Sequence, residues 1–191
     1  MKKVILASTS PRRKKIMEML GIPFEIIPSD YEEDMTKDLS PEELVKELAY
    51  GKAADVAKNH PDAVVIGGDS FVVLGKRKLG KPKSEEEAFE MLTALRGSHH
   101  QVYTGTSIID TTTGNHEEFV VSLDVKFRDY TDETINWYIK TGEPMDKAGA
   151  YAIQMKGAIL IDTVAGDYIG AIGLPIAELY LRLPKYGVHF T

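Results

Sequence analysis

The first segment of the chain constrains the fold most, because it changes character twice within a short length. An apolar run from Lys3 to Ala7 is typical of a buried β-strand. The hydroxyl residues of 8–10 then predict a tight polar loop. Pro11 stands at a first helical position with Ser10 as the N-cap, and Gly21 supplies a C-terminal stop. Strand, loop and helix in this order are typical of an α/β fold.

The same loop carries the first functional signal. A helix N-terminus offers unpaired N–H groups and partial positive charge, which favour a bound phosphate. The hydroxyls of Ser8 and Ser10 and the guanidinium groups of Arg12 and Arg13 would add further donors. Two interpretations are open from these residues alone: a polyphosphate-binding loop, or a capped surface helix with solvated charges.

Length and charge exclude several classes of protein. With 191 residues we expect one domain, or one domain with two lobes. A net charge of −6 argues against sequence-independent binding to nucleic acid or to an anionic membrane. The absence of cysteine excludes disulfides, thiolate metal sites and a cysteine nucleophile. The apolar runs are too short for a signal peptide or a membrane span, so we expect a cytoplasmic protein.

The rest of the chain alternates helix and strand signals. Capping residues at Ser40, Ser84 and Thr131 predict the starts of three helices. Apolar or alternating runs predict strands over 24–28, 63–68, 71–74, 101–110, 117–127 and about 158–164. The runs at 101–110 and 117–127 are separated by a short turn and predict an antiparallel hairpin. We therefore expect an α/β fold with a mixed, twisted sheet and flanking helices.

Carboxylates at two places are candidate catalytic groups. Asp69 follows an apolar strand and two glycines, an arrangement that we interpret as a strand end where a ligand approaches the backbone. The loop after the second predicted strand contains Glu32, Glu33 and Asp34. Two hard oxygen ligands from different loops suit Mg²⁺ that is shared with substrate phosphates. The alternative is that these residues are solvated loop charges.

Isolated lysines complete the candidate phosphate site. Lys52 lies in an alanine-rich helical segment, and Lys81 stands between a glycine and a proline. Each is suited to phosphate as a point charge, although a surface lysine with a solvated head is the alternative for both. Asp146 and Lys147 predict a local ion pair that stiffens a loop.

Other familiar constellations are missing from the sequence. It has no Walker-type glycine-lysine loop, no dinucleotide fingerprint and no nucleophile elbow around its serines. Its five histidines lack the spacing of zinc ligands. Basic residues do not alternate with aromatic ones, which argues against a nucleic-acid platform.

Several segments resemble the Maf family of nucleoside triphosphate pyrophosphatases. They occur in the order found in that family and extend over nearly the whole chain. The matching segments are 6–13 (LASTSPRR), 31–33 (YEE), 52–53 (KA), 68–70 (GDS), 80–82 (GKP), 100–104 (HQVYT), 143–154 (EPMDKAGAYAIQ) and 173–175 (GLP). Such a series is much more specific than any single motif.

The resemblance implies an activity and a fold. It implies hydrolysis of a nucleoside triphosphate to the monophosphate and pyrophosphate with Mg²⁺ or Mn²⁺ as cofactor. The implied structure is one Maf-like domain over 1–191, similar to the inosine triphosphate pyrophosphatase fold, with two lobes around a deep cleft. Members of the family commonly form homodimers, so we expect a possible homodimer, a nucleoside triphosphate as ligand, and no nucleic-acid or membrane partner.

The resemblance also assigns roles to individual residues. Asp69 matches the catalytic carboxylate and Glu33 the second acidic residue, and we expect both to bind the metal. The residues expected to bind substrate are Ser8, Arg12, Arg13, Lys52, Ser70, Lys81 and Gln154. Serine replaces the usual threonine at position 70, and Gly68 stands where alanine is frequent; both departures could affect base preference.

Gln154 decides between branches of the family. The segment 151–154 resembles the branch that prefers dTTP and UTP, whereas an acidic residue at position 154 is typical of the branch acting on 7-methyl-GTP. We expect Gln154 to follow a strand and to read the base through its carboxamide. Two alternatives stay open: a pyrophosphatase preferring 7-methyl-GTP, and a non-catalytic nucleotide-binding regulator of septum formation.

Overall fold

The computed structural model describes residues 2–190. The strands are β1 Lys3–Leu6, β2 Glu25–Ile26, β3 Ala63–Leu74, β4 Arg77–Leu79, β5 His99–Asp110, β6 His116–Phe127 and β7 Ile161–Gly166. The α-helices are α1 Pro11–Glu18, α2 Pro41–Ala57, α3 Glu85–Leu95, α4 Asp132–Ile139, α5 Tyr168–Ile172 and α6 Ile176–Arg182. Short 3₁₀ helices cover Glu143–Asp146, Ala148–Ala150, Lys156–Leu160 and Leu183–Tyr186. No helix in the described part of the chain is long and apolar enough to cross a membrane.

The seven strands form one mixed sheet. Its order is β2-β1-β3-β5-β6-β7, and β4 pairs with β3 off this path. β1 pairs in parallel with both β2 and β3, whereas β3–β4 and β6–β7 are antiparallel pairs. The prediction of an α/β fold with a mixed sheet and flanking helices is therefore confirmed.

The chain divides into two compact units. Unit 1 comprises 1–69, 104–121 and 169–191, and unit 2 comprises 70–103 and 122–168. The chain thus passes from one unit to the other four times, within β3, β5, β6 and α5. That residues 1–191 form a single domain with two lobes stays a prediction.

Unit 1 has two apolar layers because residues alternate along β1 and β3. One set of side chains packs with α1 and the C-terminal helices: Val4, Leu6, Ile16, Met17, Val64, Ile66, Leu174, Leu179 and Leu183. The opposite set packs with α2: Ile5, Ala7, Ala53, Val56, Ala63 and Val65. Strands that are buried on both faces read as continuous apolar runs, which is why the sequence reveals them.

Unit 2 contains an aromatic cluster beside α3 and α4. His100 packs edge-on against Phe127 and Tyr151, with ring centroids 4.6 and 5.5 Å apart. Its Nε2 lies 2.8 Å from the Tyr151 hydroxyl. Burial and the charge of His99 lower the pKa of His100 to about 4, so His100 is neutral near pH 7.

Most predicted elements are present, with three differences. α2 begins with the complete capping box at Ser40, whose hydroxyl accepts from the Glu43 N–H while the Glu43 carboxylate accepts from the Ser40 N–H. Ser10 is the N-cap of α1 by position, but its side chain makes no capping bond. The second strand covers only Glu25–Ile26. The segment predicted as two strands around Asp69 is one continuous strand, β3.

Candidate active site

Asp69 lies inside β3 and not at a strand end as predicted. β3 continues without interruption from Ala63 to Leu74, and Asp69 is only 6% exposed. A strand that continues past a carboxylate gives that side chain a rigid backbone. The prediction was wrong because we interpreted the two preceding glycines as the end of the strand.

Gly67 and Gly68 allow other parts of the protein to contact β3 closely. A Cβ on Gly67 would come within 2.3 Å of the carbonyl oxygen of Ala49 in α2, so the helix lies directly on the strand. A Cβ on Gly68 would come within 3.2 Å of the Arg13 side chain. The glycines therefore let α2 and Arg13 approach the strand immediately before Asp69.

Lys52 joins the two candidate carboxylates. Its Nζ lies 2.6 Å from Asp69 Oδ1 and 2.6 Å from Glu33 Oε1. The Lys52 side chain is 12% exposed, so the interpretation of a surface lysine is wrong. The close packing of α2 on Gly67 explains the contact, since it places Lys52 over the same stretch of β3.

The loop that carries Glu33 is attached along one stripe of α2. Positions 47, 51 and 55 are four residues apart and therefore lie on one face of the helix. Asp55 accepts hydrogen bonds from the Ser29 hydroxyl and the Asp30 N–H. The Tyr31 ring packs on Gly51, within 2.3 Å of where a Cβ would be. Glu47 forms an ion pair with Lys37. The loop thus runs opposite to the helix, and Glu33 meets Lys52 between these attachments.

Arg13 is held beside Asp69 by two oriented bonds. Its Nε donates to the carbonyl of Gly173 at 3.0 Å, and Nη1 lies 3.3 Å from the hydroxyl oxygen of Ser8. That oxygen also accepts from the backbone N–H of Ser10 at 3.2 Å. The predicted phosphate loop is therefore preorganised around Ser8, which is 8% exposed.

The surroundings change the proton affinity of the site. Burial raises the pKa of Asp69, partly offset by the positive charges of Lys52 and Arg13. Burial lowers the pKa of Arg13, and the negative charge of Asp69 opposes this effect. A carboxylate with a raised pKa accepts a proton more readily near neutral pH than an exposed one does.

The carboxylates of Asp69 and Glu33 suit a metal ion that is bound jointly by the protein and by substrate phosphates. Asp69 and Glu33 direct one carboxylate oxygen each toward the same point, now bonded to Lys52. Within residues 2–190 no group of three or more His, Asp or Glu side chains could hold a metal ion. Mg²⁺ is usually bound by one or two carboxylates together with substrate phosphates, so the donor set suits it.

The remaining residues predicted to bind substrate are Arg12 in unit 1 and Ser70, Lys81 and Gln154 in unit 2. Arg12 is on the first turn of α1, and Ser70 follows Asp69 in β3; both are half-buried. Lys81 is exposed in unit 2, where the Gly80 carbonyl beside it accepts from the Gly149 N–H at 3.0 Å. Gln154 is exposed in a turn and does not follow a strand, so that part of the prediction was wrong.

The residues that position Glu33 were not predicted from the sequence. Asp55 and Gly51 belong to no recognised catalytic or binding motif. Their partners lie up to 26 positions away in the chain, so a local pattern does not reveal the contacts. One signal was available, because an isolated glycine inside an alanine-rich helix often marks a close packing contact. The predicted ion pair between Asp146 and Lys147 is confirmed.

Comparison with known proteins identifies the family. A model described as Maf-like protein matches residues 3–186. The chain belongs to the Maf-like protein family. The resemblance noted in the sequence is therefore confirmed, and the cluster around Asp69 consists of residues that this family resemblance had singled out.

Maf-like relatives of the same length carry a specific name. A protein from Bacillus cereus (strain G9842) named dTTP/UTP pyrophosphatase is 45% identical over all of this chain and 99% of its own length. A protein of the same name from Desulforamulus reducens is 44% identical, with all of both chains covered. These relatives match throughout and not at isolated motifs.

A solved structure has the same fold at low identity. A HAM1 protein from Coxiella burnetii is 13% identical and superposes with a TM-score of 0.53 over 97% of this chain and 100% of that protein. The similarity concerns the fold only.

Proposed function

We propose that this protein hydrolyses dTTP and UTP to the nucleoside monophosphate and pyrophosphate. The observation that carries the proposal is the buried Asp69, bonded through Lys52 to Glu33 and flanked by Arg13. Full-length relatives named dTTP/UTP pyrophosphatase support the substrate class.

In the proposed reaction, a water molecule attacks the α-phosphorus in line with the departing pyrophosphate. Asp69 orients this water and accepts its proton, a role for which a buried carboxylate with a raised pKa is suited. Arg13 and Lys52 neutralise the negative charge that develops on the phosphate oxygens. The Ser8 loop and the N–H groups at the start of α1 hold the phosphate chain.

Glu33 and Asp69 would hold the divalent metal. Bound Mg²⁺ or Mn²⁺ would supply positive charge to the phosphate oxygens and lower the pKa of a bound water. Lys52 now bonds Oδ1 of Asp69 and Oε1 of Glu33, and a metal held by these same two oxygens would displace it. Lys52 would then be available to the substrate phosphates.

The remaining expectations belong to the same proposal. Arg12, Ser70 and Lys81 would bind the substrate, and Gln154 would read the base. A homodimer and a cytoplasmic location also stay predictions. Sedimentation of the purified protein at several concentrations would test the dimer.

A pyrophosphate-release assay tests the proposal directly. The substrates are dTTP, UTP, dCTP and 7-methyl-GTP, each with and without added Mg²⁺ after treatment with a chelator. We expect the highest kcat/KM for dTTP and UTP and a requirement for metal. Tight nucleotide binding without turnover would instead support the regulator, and a preference for 7-methyl-GTP would assign the other branch.

A further inference from the structure

The exposed Gln154 belongs to a tightly closed turn in unit 2. The turn covers residues 152–157, and Gln154 and Met155 are exposed at its tip. A Cβ on Gly157 would lie 2.6 Å from the Ala152 carbonyl oxygen, so the two ends of the turn meet backbone to backbone. Only glycine permits this approach at position 157.

Two side chains outside the turn accept its backbone N–H groups. The Ala152 N–H donates to the hydroxyl oxygen of Tyr138 at 3.1 Å. The N–H groups of Lys156 and Gly157 donate to the two carboxylate oxygens of Glu143 at 3.1 and 2.9 Å. Tyr138 in turn donates its hydroxyl hydrogen to Glu143 at 2.8 Å. One connected pair therefore ties both ends of the turn.

The pair itself is anchored in the core and not in the turn. Tyr138 belongs to α4 and is fully buried. Glu143 begins a 3₁₀ helix, and its N–H donates to the Thr141 hydroxyl at 3.2 Å. Immediately before the turn, buried Tyr151 is held by His100. The backbone on which Gln154 stands is thus fixed from three sides.

We propose that Tyr138 and Glu143 are positioning residues that hold the 152–157 turn preformed and thereby set base selectivity through Gln154. The proposal rests on the proposed function, in which Gln154 reads the base. A carboxamide on a loose turn can rotate or shift to match either a thymine or a cytosine edge, which erases the difference between them. A turn fixed before binding keeps the mismatch costly.

The carboxylate of Glu143 suits this task. It accepts three hydrogen bonds, and bonds to a charged acceptor are stronger than those between neutral groups. Neither Tyr138 nor Glu143 has a role in the proposed chemistry at Asp69. A change in either residue should therefore alter discrimination between bases more than the rate with the preferred base.

A pair of tyrosine variants separates positioning from general stability. Tyr138→Phe removes the acceptor of the Ala152 N–H and a donor to Glu143. Tyr130→Phe is the matched control, since Tyr130 is also buried in unit 2 and its hydroxyl donates to the Leu92 carbonyl, away from the turn. The ratio of kcat/KM for dTTP to that for dCTP should fall about threefold or more in Tyr138→Phe. It should stay at the wild-type value in Tyr130→Phe.

Amide hydrogen exchange gives a readout that does not depend on turnover. We expect exchange at Ala152 to become about fivefold faster in Tyr138→Phe. Exchange at Lys156 and Gly157 should accelerate similarly in Glu143→Ala. Unchanged exchange in both variants would overturn the positioning role, as would faster exchange with an unchanged dTTP/dCTP ratio. Absence of pyrophosphatase activity in the wild-type protein would overturn the proposed function, a result distinct from either.

Discussion

The two units position their important groups in different ways. In unit 1, Asp69, Lys52 and Glu33 are linked by ion pairs whose members are side chains on β3, α2 and a loop. In unit 2, Tyr138 and Glu143 bind backbone N–H groups of the 152–157 turn. Ion-paired side chains can exchange partners when a metal or phosphate arrives, because each ligand brings a replacement charge. A backbone held by hydrogen bonds has no such substitute and keeps its shape.

The comparison predicts that changes in unit 1 act on the chemical step, and the largest effect is expected at Asp69. Asp69→Asn should lower kcat by roughly 10²–10⁴-fold, because the amide cannot accept the proton of the attacking water. Glu33 keeps Lys52 paired, so the variant should still fold. Steady-state kinetics at saturating metal and circular dichroism would check both points. Turnover close to that of the wild type would make Asp69 structural.

Unit 2 should instead show a pH-dependent stability that depends on a neutral histidine. As the pH falls, the unfolded chain protonates His100 near pH 6.5, whereas the folded protein resists until about pH 4. The free energy of unfolding should therefore decrease as the pH falls from about 6.5 to about 4. From this residue we expect a loss of about 2 kcal/mol between pH 7 and pH 5.

Urea unfolding at the two pH values measures this slope. His100→Gln, which cannot titrate, should be less stable at pH 7 but should lose about 2 kcal/mol less than the wild type on acidification. Equal slopes in the two proteins would show that His100 does not remain neutral in the folded state.

At the tip of the 152–157 turn in unit 2, a change in Gln154 should alter base selectivity. Gln154→Glu replaces a group with a donor and an acceptor by one that only accepts, which opposes a thymine or uracil carbonyl. Such a mismatch costs about 1–3 kcal/mol, so the kcat/KM ratio of dTTP to 7-methyl-GTP should fall roughly tenfold. A uniform loss with every nucleotide would mean that Gln154 does not read the base.

The smallest effect is expected where the Glu33 loop meets α2. Gly51→Ala would displace the Tyr31 ring from the helix, while alanine improves helix propensity by roughly 1 kcal/mol. Overall stability should change little. The Mn²⁺ concentration that gives half-maximal activity should rise about threefold, because a less firmly attached loop would have to be ordered when Glu33 binds the metal. An unchanged metal requirement would show that the attachment of Tyr31 does not position Glu33.

Local signals predicted the elements well, while contacts between distant residues escaped them. The Ser40 capping box and the buried runs of β1 and β3 are properties of short segments, and both appear as expected. The continuity of β3 through Asp69 was not predicted because consecutive glycines such as Gly67 and Gly68 weaken a strand and often mark its interruption. Here they admit α2 and Arg13, which lie far away in the sequence.

The candidate site follows the same rule. The family resemblance named Asp69, Glu33 and Lys52, but their mutual bonding depends on how closely α2 packs on β3. Glu143 was noted only as part of a motif, since its role depends on backbone N–H groups that carry no side-chain signal.

The core of unit 1 has a consequence for synthesis of the chain. Val4, Leu6 and Ile66 near the start pack with Leu174, Leu179 and other residues up to Val188. A growing chain therefore cannot complete this core until almost all of it has left the ribosome, whereas both segments of unit 2, 70–103 and 122–168, are available earlier. During translation, the face of β1 and β3 that packs with the C-terminal helices is covered only in part, by α1, until those helices have been made. Arg13, whose Nε donates to the Gly173 carbonyl, therefore meets this partner only near the end of synthesis, whereas Lys52 and Asp69 lie on segments that are made early.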